Sequence, residues 1–182
     1  MAHLAGTLDE IRASFADQIT VDESVAFDES TRAIEARRRE RLGEIVLRET
    51  SFTNPDASLI RTALVDAVRR AGVAKLPWSD GARRLRERIA FVARHDGGWP
   101  DLSDAGLSAT LDEWLEPRLE GIRSFADLAR VDLSDALLGM LDWRHRARLD
   151  ELAPTHLTVP SGSRVPVDYS DPESPMISVR LQ

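Results

Sequence analysis

The sequence predicts an α+β fold: a small antiparallel sheet or barrel made from the two ends of the chain, with a helical insert between them. Three observations lead there. Apolar and polar residues alternate through much of the first fifty positions. From Pro55 to Leu152 the apolar residues recur at helical spacing. Alternation returns from Ala153 to the end. These periods, two and 3.6, separate strand from helix. Two isolated three-stranded pieces would each be marginal, so the terminal strands are expected to pair with the early ones. That gives residues 1–54 and 154–182 to one sheet and 55–153 to the insert.

Leu4, Leu8, Ile11 and Phe15 form one stripe and predict a short helix over 4–17. Ile19 to Asp28 is β-branched and alternating, and Asp28-Glu29-Ser30-Thr31 is a turn. Arg32 to Arg41 suits strand by its Ile34/Ala36 alternation and helix by propensity; its strand neighbours favour strand. Gly43 is placed like a bulge before a third strand. In the insert, Asp56, Ser79, Ser103 and Ser134 stand where helices begin, and Ser124 with Asp127 resembles a capping box. Gly72, Asp96-Gly97-Gly98, Pro117 and Pro154 stop them. Trp143 to Leu152 continues the helix from Ser134 or forms another. The four tryptophans, Trp78, Trp99, Trp114 and Trp143, fall in helical territory and are expected in the core. The C-terminal part is a hairpin over Ala153–Tyr169, turning at Pro160-Ser161-Gly162-Ser163, followed by a strand from Met176 to Leu181.

At 182 residues, 42% hydrophobic and 30% charged, the composition is that of a globular chain with one good core. There is no cysteine, which excludes disulfides and thiolate metal sites. No apolar run is long enough to span a bilayer and the N-terminus lacks a signal-peptide pattern, so a cytoplasmic location is expected. The net charge of −7 argues against non-specific nucleic-acid binding. The charge is segregated, however: residues 1–31 and 96–142 are acidic, 32–48 and 69–94 basic.

Enzyme signatures are missing. There is no phosphate-cradling GxxxxGK[ST]. The four histidines have no partners at metal-ligand spacing, so neither metal nor cofactor is expected. His156, Ser161 and Asp168 sit close in sequence, but Ser161 lies in a Pro-Ser-Gly-Ser turn and not on a nucleophile elbow. Asp112, Glu113, Glu116 and Glu120 read as a solvated helix face, since no apolar residues bracket them to raise a pKa.

Two basic groups remain. On a strand, Arg37, Arg39 and Arg41 point to one face at ~6.8 Å intervals, a spacing suited to the phosphates of an extended single strand. The alternative is an edge strand kept soluble by charge. Arg83, Arg84, Arg86, Arg88 and Arg94 lie on one helix and read as a solvated face or a dock for the acidic segment 96–142, with RNA contact as the alternative.

The stretch LAPTHLTVPSGSRVPVDY, Leu152 to Tyr169, closely resembles a hallmark of the bacterial DEAH-box ATP-dependent helicase family HrpB. IEARRRERLGEIVLRE (34–49), LPWSDGARRLRERIAFVARH (76–95), WPDLSDAGLSATLDEWLEPRLEGI (99–122) and the LDW at 141–143 agree in order. The resemblance implies an oligonucleotide-binding-like region with its helical insert, from which the motor domains and their ATPase motifs are absent. No catalytic residue carries over. It implies a non-catalytic helicase module. Charge placement and the fold make Arg37, Arg39, Arg41 and Arg164 the expected phosphate contacts for single-stranded RNA or DNA, with Tyr169 a candidate stacking platform. The other reading is a structural module that docks on the helicase motor domains without touching nucleic acid.

Overall fold

Alternation over residues 19–51 forms a three-stranded antiparallel meander: β1 Ile19–Asp28, β2 Ala33–Leu42 and β3 Ile45–Ser51, in the order β1-β2-β3. The computed structural model describes residues 10–160, 162–171 and 173–177, and divides the chain into two units. The first comprises residues up to Leu64 together with Arg123–Ala126; the second comprises Val65–Ile122 and Asp127 onward.

In the first unit, residues 10–14 are helical, and a 3-10 turn, Ala16–Gln18, leads into β1. The β1–β2 turn is organised by Asp28. Its carboxylate accepts from the Ser30 N–H at 2.7 Å, the Ser30 hydroxyl at 2.5 Å and the Thr31 N–H at 2.8 Å. These bonds, the Ser30 hydroxyl foremost and then the Thr31 amide, lower its pKa to about 2. Gly43 is not a bulge. It is the first residue of a two-residue hairpin loop, with φ +58°, a conformation that glycine adopts without a Cβ penalty. The bulge lies at Glu40/Arg41, where Arg41 pairs with Val46 and Glu40 with Arg48, leaving Leu47 as the extra residue.

Register divides the sheet into two faces. Ile19, Val25 and Phe27 pair with Leu42, Ala36 and Ile34. This face is apolar at the Phe27 end, where Phe125 packs on Phe27 with ring centroids 5.0 Å apart. Residues 123–126 line the start of β2: Ile34 N–H donates to the Arg123 carbonyl at 2.8 Å, and Phe125 N–H to the Arg32 carbonyl at 3.0 Å.

The helices are α1 Ala57–Ala71, α2 Asp80–His95, α3 Asp104–Ala109, α4 Leu111–Trp114, α5 Leu133–Gly139 and α6 Trp143–Leu152, and the division between units falls inside α1. Gly72, at φ +89°, ends α1. Ser79 caps α2 by accepting from Ala82 N–H at 3.1 Å, and Ser103 caps α3 by accepting from Gly106 N–H at 3.0 Å. The helix expected to run from Ser103 towards Pro117 breaks at Thr110, whose hydroxyl donates to the Gly106 carbonyl at 3.0 Å. The cap of α5 is Asp132, not Ser134, because the Asp132 carboxylate reaches both Ser134 and Asp135 N–H groups. Asp142 starts α6 as a separate helix. In the second unit Ile89, Leu107, Leu111, Leu115, Leu119, Leu128 and Leu137 are fully buried and form the core.

The C-terminal strands correct the expectation of one shared sheet. Among the described residues β4 His156–Thr158, β5 Arg164–Asp168 and β6 Met176–Ile177 pair only with each other, and no closed barrel forms. Val165 of β5 is buried, whereas Leu157, Met176 and Ile177 stay exposed. Tyr169 packs on Phe91 of α2, centroids 5.2 Å apart, and its hydroxyl donates to the Pro154 carbonyl at 2.8 Å. Arg88 of α2 donates to the Ala153 carbonyl at 2.8 Å and to Asp150 at 2.6 Å. Ser161 and residues 178–182, which include most of the expected last strand, lie outside the described residues.

A Cβ at Gly106 would stand 2.3 Å from the Asp101 carbonyl oxygen. Gly106→Ala therefore destabilises by about 1–3 kcal/mol, although alanine is the better helix former; urea unfolding at or above the unaltered stability would contradict it. Asp28 is a carboxylate with a depressed pKa, so its contribution is present above about pH 4 and fades as pH falls towards 2. Asp28→Ala should lower stability at pH 7 and flatten the acid-side loss in that window. Parallel pH profiles for the two proteins would contradict this.

Candidate nucleic-acid interface

The outer face of β2 carries Glu35, Arg37, Arg39 and Arg41 at alternate positions. Strand pairing decides what surrounds them. Arg37 lies between Ser24 and Ser51, Arg39 between Asp22 and Glu49, and Arg41 between Thr20 and Val46. The guanidiniums are consequently tied to carboxylates of the same sheet. Arg37 bonds Glu35 and Glu49, each at 2.6 Å, and Arg39 bonds Glu49 at 2.7 Å. Arg41 Nε is buried, stands 4.0 Å from Asp22 and has no hydrogen-bond partner among the described residues.

Glu49 is the hub. Its carboxyl is held below the usual carboxylate range, first by Arg39 and then by Arg37. Arg37 is correspondingly held further towards its charged form, first by Glu35 and then by Glu49. The three arginine side chains remain 36–43% exposed. Ion pairs this exposed contribute about 0–1 kcal/mol each, so they orient the row without preventing exchange for another anion. Arg38 points to the opposite face, bonding Glu23 at 2.5 Å with its guanidinium 5.6 Å from the Phe52 ring.

Arg164 belongs to the second unit, on β5 opposite Thr158, exposed and forming no ion pair among the described residues. Tyr169 is 6% exposed, and burial raises its pKa. Its ring is spent on Phe91 and its hydroxyl on Pro154, so it offers no open face to a base; it is the anchor of the hairpin.

The arginines of α2 mostly hold the second unit together. Arg86 bonds the Leu102 carbonyl at 2.7 Å and Asp104 at 2.6 Å, Arg83 pairs with Asp80 at 3.3 Å, and Arg94 pairs with Glu173 at 3.0 Å. Asp104 lies in the acidic segment for which this helix was expected to be a dock. Asp112, among the acidic residues expected on a solvated face, is exposed and pairs with Arg69 at 3.0 Å. Among the described residues no cluster of three His, Asp or Glu side chains is arranged to hold a metal, and no helix is long and apolar enough to cross a membrane.

Comparison with known proteins places this architecture. Residues 114–182 match the family model described as ATP-dependent helicase C-terminal, HrpB_C. The ATP-dependent RNA helicase HrpB of Escherichia coli strain K12 is 30% identical over 177 residues, covering 96% of this chain. In sequence and fold, this chain matches the C-terminal region of HrpB-like helicases. A crystal structure of the E. coli DExH-box NTPase HrpB superimposes with a TM-score of 0.68 at 30% identity over 96% of the chain. A second, of the E. coli DEAH/RHA helicase HrpB, gives 0.67 at 31% identity over 90%. The chain spans 22% of the length of the HrpB relative.

One side chain in the HrpB_C-matching region departs from expectation. Trp143 is 74% exposed, whereas Trp78 and Trp114 are buried and stacked 6.2 Å apart. It is the first residue of α6, whose buried residue is Leu149. Six positions along a helix turn the side chain about 120° away. The signal in sequence was an aromatic opening a basic run, WRHRAR.

Tyr169→Phe removes one hydrogen bond and leaves the ring packing. It should cost about 1 kcal/mol of stability and leave affinity for single-stranded RNA unchanged. A loss of affinity exceeding the loss of stability would return Tyr169 to the binding surface.

Proposed function

We propose that this chain is a non-catalytic accessory module of an ATP-dependent helicase, and that it holds single-stranded nucleic acid along β2. The observation that carries the reading is the row of Arg37, Arg39 and Arg41, half-exposed on one face and oriented by carboxylates. A strand face beside short loops is the surface on which oligonucleotide-binding folds hold single strands. Planar guanidiniums pair bidentately with phosphate. The similarity to a protein named as an RNA helicase makes RNA the first ligand to test. Arg164, exposed and in no ion pair among the described residues, is a further phosphate contact in this reading. The helicase motor domains are the module's physical partners.

A second reading is favoured by the same carboxylates. Each of the three guanidiniums has an acid within 4.0 Å, and the chain carries a formal net charge of −7. A face so balanced also suits docking on a motor domain without nucleic acid.

Glu49 separates the two. Glu49→Gln removes the anion shared by Arg37 and Arg39 while keeping its shape. It should tighten binding of labelled single-stranded RNA by roughly two- to fivefold, the worth of an exposed charge interaction. Replacing Arg37, Arg39 and Arg41 together by Glu should abolish binding while the fold persists. Fluorescence anisotropy checks both. If neither substitution changes affinity, β2 is not the contact, and the docking reading takes its place.

A further inference from the structure

Trp143 is unused by the packing. Each of the other three tryptophans donates its indole N–H: Trp78 to the Val73 carbonyl at 2.9 Å, Trp114 to the Leu107 carbonyl at 2.9 Å, and Trp99 to Asp96 at 3.0 Å. The Trp143 N–H has no such partner among the described residues, and its side chain is 74% exposed. Its neighbours along α6 are cationic. The Arg144 guanidinium stands 5.4 Å from the ring centroid. Arg146, one turn on, donates only its Nε, to the Leu141 carbonyl at 3.1 Å. Neither arginine forms an ion pair among the described residues, in contrast to Arg37, Arg39 and Arg41. The adjacent acid, Asp142, is engaged as the cap of α6: it accepts from His145 N–H at 2.8 Å and stands 3.0 Å from the His145 ring.

An exposed aromatic flanked by unpaired guanidiniums is the combination that single-stranded nucleic acid requires: a π-face for a base and cations for the adjacent phosphates. An apolar protein partner would ask for a contiguous apolar patch; here the positions one and three residues on are both arginine. We infer that Trp143, with Arg144 and Arg146, forms a second contact for single-stranded nucleic acid, a base stacking on the indole and the two guanidiniums taking phosphates. The inference rests on the reading that the module holds single strands, and it transfers the stacking role from Tyr169 to a residue outside the hairpin.

The test compares labelled oligouridylate with an abasic strand of equal length on the whole chain. Trp143→Ala should weaken oligouridylate binding by about 5- to 100-fold, and Trp143→Phe should retain most of the affinity. The abasic strand should bind Trp143→Ala and the unaltered protein equally. Arg144→Gln with Arg146→Gln should reduce the steepness of the log–log salt dependence by about 1.4, the value for two phosphates at ~0.7 each. Unchanged oligouridylate affinity in Trp143→Ala overturns the inference. If the β2 triple variant loses binding in the same assay, the proposed function survives that failure. Equal losses on both strands also overturn it, because stacking would not be the cause. Absence of binding by the unaltered chain at low salt overturns both readings together.

Discussion

The two-residue period of β2 is the constraint on which the first unit depends. One phase, Ile34, Ala36 and Leu42, packs against Phe27, Val25 and Ile19 of β1. The other, Arg37, Arg39 and Arg41, is held outward among Glu35, Glu49 and Asp22. A slip of one residue would separate Ile34 and Ala36 from Phe27 and Val25 and break the Arg38–Glu23 pair on the same face. The register is therefore held by the apolar pairs Phe27–Ile34 and Val25–Ala36 together with the ion pairs on both faces. The same feature that protects the fold presents a regular cationic row to solvent. Its carboxylates hold the row in place and also reduce its attraction for an anion.

The second unit is organised differently. Its core is leucine-rich, and its C-terminal hairpin is fastened to α2 at neighbouring points: Arg88 on Ala153 and Asp150, Tyr169 on Phe91 and Pro154. Arg88 keeps only 11% of its side chain exposed, which places it among the supports of the fold and not among free cations. A basic helix thus reads differently residue by residue. Arg86 and Arg88 are spent internally, Arg83 and Arg94 form exposed ion pairs, and Arg144 and Arg146 on α6 pair with no acid among the described residues.

Much of this was legible in sequence because it is local. The alternation in β1 to β3, the caps at Ser79 and Ser103, and the hairpin turn with Gly162 at φ +83° each follow from a few adjacent residues. What was not legible is non-local or competitive. Asp132 displaced Ser134 as a cap because both residue types suit that place and only geometry chooses between them. Among the described residues the terminal strands pair with each other and not with the early sheet, a long-range choice that local alternation does not encode. The carboxylate partners of the β2 arginines lie on other strands or in alternate positions, visible only once the register is known. Tyr169 and Trp143 exchanged their expected environments. A tyrosine in a hairpin looks solvent-facing until a helix covers it, and a tryptophan on a helix looks internal until its turn is seen to face away from Leu149.

The most direct test of the central claim is an NMR titration of the arginine Nε–H groups with oligouridylate at low salt. The account predicts saturable shifts at Arg37, Arg39 and Arg41, reversed by added salt as the released counterions compete. Resonances of these three that stay fixed while the oligonucleotide binds elsewhere, or while nothing binds at all, would contradict it.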